Sequence, residues 1–340
     1  MNDDGKKVTM RSIAKEAGVS LSTVSRVFSG DPHATPNIRK KVIGVARALG
    51  YAPNTITGQK AFSQSNLIGL VVNHPSGFYT SEVIECVEKE VSRCGYDLIL
   101  CGAHDDLVRE ERIIASMLNR QVDGMIITTK RDAYSEELIT RLNRIPVVYL
   151  GDKPRSAQNC STVYLDNYYG GVIGTRYLCE LGHRNIVFLG RRLTSKSQSK
   201  RAAGYEQVCR EYGIRPRYFD GEGIRTISKE FKLGLSFLQE GALPSAVYAA
   251  SDITAFGLIQ AADTLGIQIP KDISLIGFDN LAFSEISRIN LTSLDLPKTK
   301  LAQKAVDRLM AELRNESDAE PTDTRLLPNL VIRGSCMRIN

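Results

Sequence analysis

The sequence predicts an all-α helix-turn-helix unit followed by an α/β body made of two lobes with parallel sheets. Three observations lead to this prediction. Short helical segments separated by tight turns fill residues 8–50, whereas short apolar runs alternate with helical segments from residue 67 onwards. Such alternation is typical of parallel sheets that helices cover on both faces. The body has about 275 residues, which is large for one open sheet, so two lobes are expected.

The charge distribution separates the two parts of the chain. The 340 residues carry a formal net charge of +6. Residues 1–65 contain 10 Lys and Arg but only 4 acidic residues, and the rest of the chain contains 34 of each sign. The whole excess of positive charge therefore lies in the first fifth of the chain. This pattern indicates a small basic unit for a polyanion, joined to a neutral body with another task.

Several classes of protein are disfavoured by composition. No run approaches 18 apolar residues, and the polar start of the chain lacks a signal peptide, so we expect a cytoplasmic protein without membrane contact. Seven cysteines without a C-x-x-C pair indicate reduced, buried thiols, and four scattered histidines predict no metal and no cofactor. No phosphate-binding, nucleophile-elbow or dinucleotide motif occurs, which argues against an enzyme.

The first unit is predicted to contain three short helices with recognisable ends. They are Met10–Ala17 after the N-cap Thr9, Leu21–Phe28 after the N-cap Ser20, and a helix that begins at Pro36 after the N-cap Thr35 and is stopped by Gly50.

The spacing of small and apolar residues in this unit favours a helix-turn-helix. Ala14 allows a close helix crossing, Gly18 permits the turn, and Val24 packs back on the first helix. The second helix then turns its polar face outwards, with its positive end towards phosphates. The alternative is a plain three-helix bundle with a solvated basic face.

The body is predicted to contain seven strands, with amphipathic helices at 83–91 and 301–313. The strands are Leu67–Asn73, Tyr96–Cys101, Gly124–Thr128, Pro146–Leu150, Asn185–Gly190, Ala246–Ala250 and Ile273–Phe278. The chain thus divides into a helix-turn-helix unit at 1–50, a polar linker at 51–66 and a body at 67–340.

A series of motifs runs through nearly the whole chain. The segment from Val8 to Asn54 is followed by Leu-Ile-Gly-Leu-Val-Val at 67–72, Val-Asp-Gly-Met-Ile-Ile at 122–127, Leu-Gly-His-Arg-Asn-Ile at 181–186, Arg-Ala-Ala-Gly-Tyr at 201–205 and Ile-Gly-Phe-Asp-Asn at 276–280. In this order the motifs resemble the LacI/GalR (lactose/galactose repressor) family. The resemblance implies a dimeric repressor, whose headpieces read a pseudo-palindromic operator. Its periplasmic-binding-protein-like body would bind a small effector between two lobes.

The resemblance also implies which residues contact DNA. Leu21, Ser22 and Arg26 would read bases in the major groove. Contacts to phosphates would come from Thr9, Ser20, Thr23, Ser25, Tyr51 and Asn54.

The linker departs from the family pattern at Lys60, where the family keeps a leucine that wedges into the minor groove. Thr57 and Gly58 replace the usual Ala and Arg, and both weaken a helix. A lysine cannot act as an apolar wedge, although it could follow a narrow minor groove or reach a phosphate. We therefore expect weaker operator bending, with an unstructured linker as the alternative.

Effector contacts are expected at the carboxyl ends of the strands, where parallel α/β sheets bind ligands. Asp279 ends the last predicted strand, and Arg201 opens a helical segment and matches the family's ligand-binding arginine. The other candidates are Phe78, Tyr79, Thr128, Tyr164 and Ser251. Alternatively, Asp279 caps a helix, Arg201 forms a surface salt bridge, and the two aromatic residues belong to the core. Asp252 is expected to cap the following helix.

The class of the effector follows from these side chains. Aromatic faces with an aspartate and an arginine suit a sugar or glycoside, while a nucleobase or a phosphorylated sugar stays open. The chain ends after a strand-like run at 326–333 without an apolar heptad repeat, so a homodimer is expected.

Overall fold

The structure is a computed structural model that describes residues 9–28, 31, 34–49, 65–221, 226–314 and 320–339. The chain divides into two compact units, residues 1–64 and 65–340.

The first unit contains the three predicted helices, α1 (Met10–Ala17), α2 (Leu21–Phe28) and α3 (Pro36–Ala48). Gly18 ends α1 with a left-handed φ of 63°, a conformation that favours glycine. Apolar side chains from all three helices form one small core: Ile13, Ala14, Ala17, Val24, Val27, Val42 and Ala46.

The second unit contains the remaining elements. The strands are β1 (Leu67–Val72), β2 (Asp97–Gly102), β3 (Gly124–Ile127), β4 (Val147–Leu150), β5 (Ser161–Leu165), β6 (Ile186–Gly190), β7 (Tyr218–Asp220), β8 (Ala246–Ala249), β9 (Ser274–Asp279), β10 (Thr292–Asp295), β11 (Asp323–Leu326) and β12 (Asn329–Val331). The helices are α4 (Phe78–Arg93), α5 (Leu107–Asn119), α6 (Glu136–Leu142), α7 (Asn167–Glu180), α8 (Lys196–Glu211), α9 (Ile227–Gln239), α10 (Asp252–Leu265) and α11 (Lys298–Leu313).

These strands form two six-stranded sheets in the described part of the chain, one for each lobe. Lobe 1 has the order β11-β5-β4-β3-β1-β2, and lobe 2 has the order β12-β10-β9-β8-β6-β7. All neighbouring strands pair in parallel except β10 and β12. The chain passes between the lobes after β5, after β10 and between β11 and β12. Neither lobe is therefore continuous in sequence.

The two predicted lobes are confirmed, but some details of the prediction are wrong. Each of the seven predicted strands is present within about one residue, whereas β5, β7, β10 and most of β11 were not predicted. The expected single run at 326–333 is two strands of different sheets, separated at Leu327 and Pro328. Arg201 lies inside α8 and does not open it. Among the seven free cysteines, only Cys179 and Cys209 are fully buried, and Cys94 is exposed.

Glycines set the distance between α7 and α8. A Cβ on Gly171 would lie 2.1 Å from the carbonyl oxygen of Arg201, and a Cβ on Gly204 would lie 2.1 Å from that of Tyr168. Only residues without a side chain permit this approach. The glycines of both helices therefore fix the position of Arg201 in lobe 2.

The segment after β12 is held by the loop that precedes β6. His183 is buried, with Nε2 at 3.1 Å from the Met337 carbonyl oxygen and Nδ1 at 3.0 Å from Ser245 Oγ. Since a carbonyl only accepts, Nε2 carries the proton. The Leu-Gly-His-Arg motif at 181–184 thus fastens the end of the described chain to lobe 2.

Candidate functional site

One face of α2 is exposed. Leu21 is 43% exposed, and Ser22, Ser25 and Arg26 are exposed beside it. The opposite face of α2 packs into the small core with α1 and α3. The exposed face combines an alkyl group, hydroxyls and a guanidinium, which are groups suited to base edges and phosphates.

Hydroxyl side chains cap the first two helices. Ser20 Oγ accepts the Thr23 backbone N–H at 3.1 Å and lies 2.7 Å from Ser22 Oγ. At α1, Thr9 and Ser12 cap each other's backbone N–H groups. The caps place Thr9, Ser20 and Thr23 at helix amino ends, where the helix dipole favours negative charge.

Part of the predicted interface lies outside the described residues. This applies to Tyr51, Asn54 and Lys60. Of the predicted linker, residues 65 and 66 belong to the body, because the backbone N–H groups of Ser65 and Asn66 donate to the carboxylate of Asp123.

Arg201 is the centre of a buried cluster in lobe 2. Its Nε donates to Asn167 Oδ1 at 2.8 Å, a terminal nitrogen donates to the Ala250 carbonyl, and the other lies 3.7 Å from Asp279 Oδ1. The guanidinium carbon lies 3.5 Å from the ring centroid of Phe278. The side chain is 8% exposed, so it is not the surface salt-bridge partner of the alternative interpretation.

Asp279 lies at the carboxyl end of β9 in an unusual conformation. Its φ is 113°, and that of Asn280 is 45°, so two consecutive non-glycine residues have positive φ. Such strain is concentrated at functional sites. The next helical turn, a 3-10 helix, begins after Leu281, so Asp279 does not cap it. The Asp279 backbone carbonyl accepts the ammonium of Lys298 at 2.8 Å.

Tyr79 brings lobe 1 to this cluster. Its half-buried ring packs against the cores of both lobes. Burial, together with the negative charge of Asp279, raises the pKa of the Tyr79 phenol above its usual value. Lys298 also pairs with Glu82 of α4 at 2.8 Å. The structure therefore places three predicted effector residues, Tyr79, Arg201 and Asp279, together.

The aromatic neighbour of Tyr79 lies at a different contact between the lobes. Phe78 is 38% exposed and meets Phe283 of lobe 2 edge to face, with ring centroids 6.0 Å apart. Phe78 is therefore not a core residue, whereas Tyr79 packs against the cores of both lobes, as the alternative interpretation expects of it.

The other three candidates are placed separately. The Thr128 hydroxyl donates to the Val71 carbonyl at 3.3 Å. Ser251 is fully buried, and its Oγ accepts the Thr254 N–H at 3.3 Å at the start of α10. Tyr164 lines another cleft.

The helix cap expected of Asp252 is a wrong prediction, because Ser251 caps α10. Asp252 is buried, and its carboxylate accepts the Leu281 N–H and the hydroxyls of Ser284 and Ser293. Burial raises the pKa of Asp252, although these donors oppose the rise. Asp252 therefore orders the segment that follows Asp279.

Asn73 is a candidate that the sequence analysis did not single out. It directly follows β1, and its side-chain Oδ1 is buried without a hydrogen-bond partner among the described residues. An unsatisfied buried acceptor at the carboxyl edge of a parallel sheet suits a ligand donor. The rule that selected Asp279 also applies to this position.

A cleft of about 460 Å³ lies between the edge of lobe 1 and the start of α8. We call it the rim cleft. Its lining residues are Asp132, Gly151, Asp152, Lys153, Arg155, Thr162, Tyr164, Lys196, Lys200 and Asp323. Two ion pairs cross it, Lys196–Asp132 and Lys200–Asp152, each at 2.6 Å. The lobes are thus joined by charges at this side.

Two further properties concern the described residues only. Among them, no helix combines the length and apolarity needed to cross a membrane. Within the same ranges, no three His, Cys, Asp or Glu residues are grouped to hold a metal ion.

Comparison with protein families gives two matches. Residues 9–54 match the family of bacterial regulatory proteins of the lacI type, and residues 175–336 match a periplasmic-binding-protein-like domain.

Individual proteins match over almost the full length. The HTH-type transcriptional repressor PurR of Proteus mirabilis is 31% identical over 333 residues, which is 96% of each chain. The catabolite control protein A of Priestia megaterium is 29% identical over 96% of this chain and 99% of its own. A crystal structure of the lac repressor dimer bound to operator and the anti-inducer ONPF superposes with a TM-score of 0.76, at 25% identity, over 98% of this chain and all of that chain.

Proposed function

The chain belongs to the lacI family of bacterial regulatory proteins, and we propose that it is a homodimeric repressor whose operator affinity is controlled by a small effector bound between its lobes. The observation that carries this proposal is the exposed polar face of α2, backed by a complete helix-turn-helix core. The match at residues 9–54 argues against a periplasmic solute-binding protein. The named relatives are regulators, which confirms that the chain is not an enzyme.

In this proposal α2 lies in the major groove of the operator. Leu21, Ser22 and Arg26 contact base edges, since an alkyl group suits a thymine methyl and a guanidinium suits guanine. Phosphates are contacted by Thr9, Ser20, Thr23 and Ser25 at or near the capped helix ends. Tyr51, Asn54 and Lys60 stay predictions for the same interface. A symmetric dimer would read a pseudo-palindrome.

The effector is bound by the cluster of Tyr79, Arg201 and Asp279, with Phe78 at the entrance. The strained backbone of Asp279 and its place at the carboxyl end of β9 support this assignment. The Asp279 carboxylate can accept hydrogen bonds from sugar hydroxyls, and an aromatic ring can cover the apolar face of a sugar. A sugar or glycoside is therefore the proposed class. Thr128, Tyr164 and Ser251 stay predictions for the same site.

Selection of binding sites from random DNA tests the operator half of the proposal. The expected result is a pseudo-palindromic site for the wild type and relaxed sequence preference for Arg26→Ala, because a bidentate base contact is lost. A matched control is Arg93→Ala on α4, which removes an exposed arginine of the body. The operator half of the proposal would be refuted if the selected sites lacked symmetry. It would also be refuted if Arg26→Ala and Arg93→Ala lost sequence preference equally.

Operator binding in the presence of a panel of sugars tests the effector half. Asp279→Asn should retain operator binding and lose its response to the sugar that acts on the wild type. Asp263→Asn, an exposed carboxylate of α10, should retain both. An unchanged response of Asp279→Asn would remove the cluster from the effector site.

A further inference from the structure

The rim cleft has the size and position of a ligand site. A volume of about 460 Å³ is within the range of small-molecule sites. It opens where β4 ends in lobe 1 and where α8 begins in lobe 2, and both places are common sites of ligand binding in parallel α/β folds.

Four cationic side chains of both lobes line this cleft. Lys196 and Lys200 are one helical turn apart on α8, and Lys153 and Arg155 follow β4. The amino end of α8, capped by Ser195, adds the positive end of a helix dipole. Cations that converge from two lobes on one cavity suit an anion.

The carboxylates that now pair with these lysines are weak competitors. The side chains of Asp132, Asp152 and Asp323 are 79%, 43% and 56% exposed. Ion pairs between such exposed groups contribute little free energy, because water screens them. A phosphate dianion can therefore replace them, since it offers more charge and more acceptors to each lysine.

We infer that the rim cleft binds a small organic phosphate, whose phosphate group engages Lys196 and Lys200 of lobe 2 together with Lys153 of lobe 1. Tyr164 and the released aspartates then face the remainder of the ligand. This ligand is additional to the proposed effector, and it would tie the two lobes together at this rim.

Calorimetric titration of the full chain with inorganic pyrophosphate tests the inference. The wild type should bind saturably, and the double variant K196Q/K200Q should bind at least tenfold more weakly. The double variant K300Q/K304Q removes the same charge, at the same helical spacing, from exposed positions of α11 and should bind like the wild type. No binding by the wild type, or equal weakening in both double variants, would overturn the site.

Two further variants test the position of the site while Lys196 and Lys200 of α8 stay unchanged. K153Q should also weaken pyrophosphate binding, and an unchanged affinity would exclude lobe 1 from the site. D132N/D152N removes the competing carboxylates and should strengthen binding severalfold, whereas unchanged or weaker binding contradicts the proposed exchange.

The effector proposal can fail independently. Asp279→Asn should leave pyrophosphate binding intact, and K196Q/K200Q should leave the sugar response intact. If pyrophosphate binding is lost in Asp279→Asn, the rim cleft is not a separate site and the inference is overturned.

Discussion

Arg201 is held in place by several groups of its own lobe. Asn167, the Ala250 carbonyl and Asp279 contact three of its nitrogens, and Phe278 lies beneath the guanidinium. A planar group with several donors can satisfy all of these contacts at once, whereas an ammonium cannot. The lobe therefore holds a preorganised arginine, which reduces the entropy lost on binding a ligand.

Replacing Arg201 by lysine should destabilise the body. Arg201→Lys keeps the charge but leaves Asn167 or the Ala250 carbonyl without its donor in a buried place. We expect the free energy of unfolding in urea to fall by about 1–3 kcal/mol. The matched control is Arg210→Lys on the same helix, whose side chain is 71% exposed and pairs with Glu206. Its effect should stay below about 0.5 kcal/mol, and a similar loss in both variants would contradict the special role of Arg201.

His183 should make stability depend on pH. Burial lowers its pKa below the ordinary 6.5, although the bond to the Met337 carbonyl opposes this. The folded state therefore takes up a proton less readily than the unfolded state. The free energy of unfolding should be undiminished above about pH 6.5 and fall as the pH drops through that value towards the lowered pKa of the folded state.

The variant His183→Gln should flatten this dependence in urea titrations at a series of pH values. His104→Gln is the control, because it removes an exposed histidine and leaves the buried contact between His183 and Met337 intact. An unchanged slope in His183→Gln would show that other groups cause the dependence.

At the scale of elements, the close packing of α7 against α8 requires glycine at the contact positions. Gly171→Ala places a methyl group 2.1 Å from a backbone carbonyl, which cannot move as a flexible side chain would. Thermal unfolding should show a loss of about 1–3 kcal/mol, which is typical of overpacking. The response to the proposed effector should also weaken, because Arg201 moves.

The contrasting substitution is Gly44→Ala in α3. Apart from the backbone of its own helix, no atom of the described residues lies within 4 Å of the added Cβ there, and the position is helical. Alanine is the better helix former by about 1 kcal/mol, so the first unit should become more stable. A loss of stability at Gly44, or none at Gly171, would contradict the packing argument.

At the same scale, the strands differ in whether their sequence could predict them. Buried apolar runs such as β3 and β8 were predictable, since every residue in them is buried. β10, with the sequence Thr-Ser-Leu-Asp, and β7, with three half-buried residues, lack an apolar run. Their pairing is decided by neighbouring strands and loops, which no local pattern records.

The candidate site was partly predictable for the same reason. The carboxyl-end rule selected Asp279, and a family motif selected Arg201. Asn167 and Lys298, which hold that pair, carry no comparable local signal, because they are remote in sequence from the residues they contact. Ser251 was predicted as an effector contact but caps α10, and Asp252 was predicted as the cap but orders the segment after Asp279. Adjacent polar residues at a helix start are equivalent until the packing is known.

At the scale of the whole molecule, the two binding functions use separate charges. The excess of +6 lies in residues 1–65, and the body is neutral overall. Raising salt from about 50 to about 200 mM should weaken operator binding by about 10³-fold or more, because phosphate contacts release counterions. The affinity for a neutral sugar should change by less than about twofold over that range, since its binding releases no counterions.

Filter binding and calorimetry in parallel salt series measure the two responses. K40Q/K41Q should lower the slope of the operator response by about 2, if both lysines contact phosphates. If the affinities for operator and for sugar depended equally on salt, the separation of charge between the two units would have no functional meaning.

The discontinuity of the lobes has a consequence for the order of biosynthesis. Leu301, Leu309 and their neighbours on α11 fill the core of lobe 1, although β1 of that lobe is translated more than 200 residues earlier. The lobe 2 sheet likewise receives its edge strand β12 after lobe 1 is complete. The ribosome must therefore synthesise α11 and β11 before lobe 1 can close, and β12 before lobe 2 can close, whereas α1 to α3 precede every element of both lobes. The elements that recognise the operator are therefore encoded ahead of both lobes, and control by an effector must wait until β12 is synthesised.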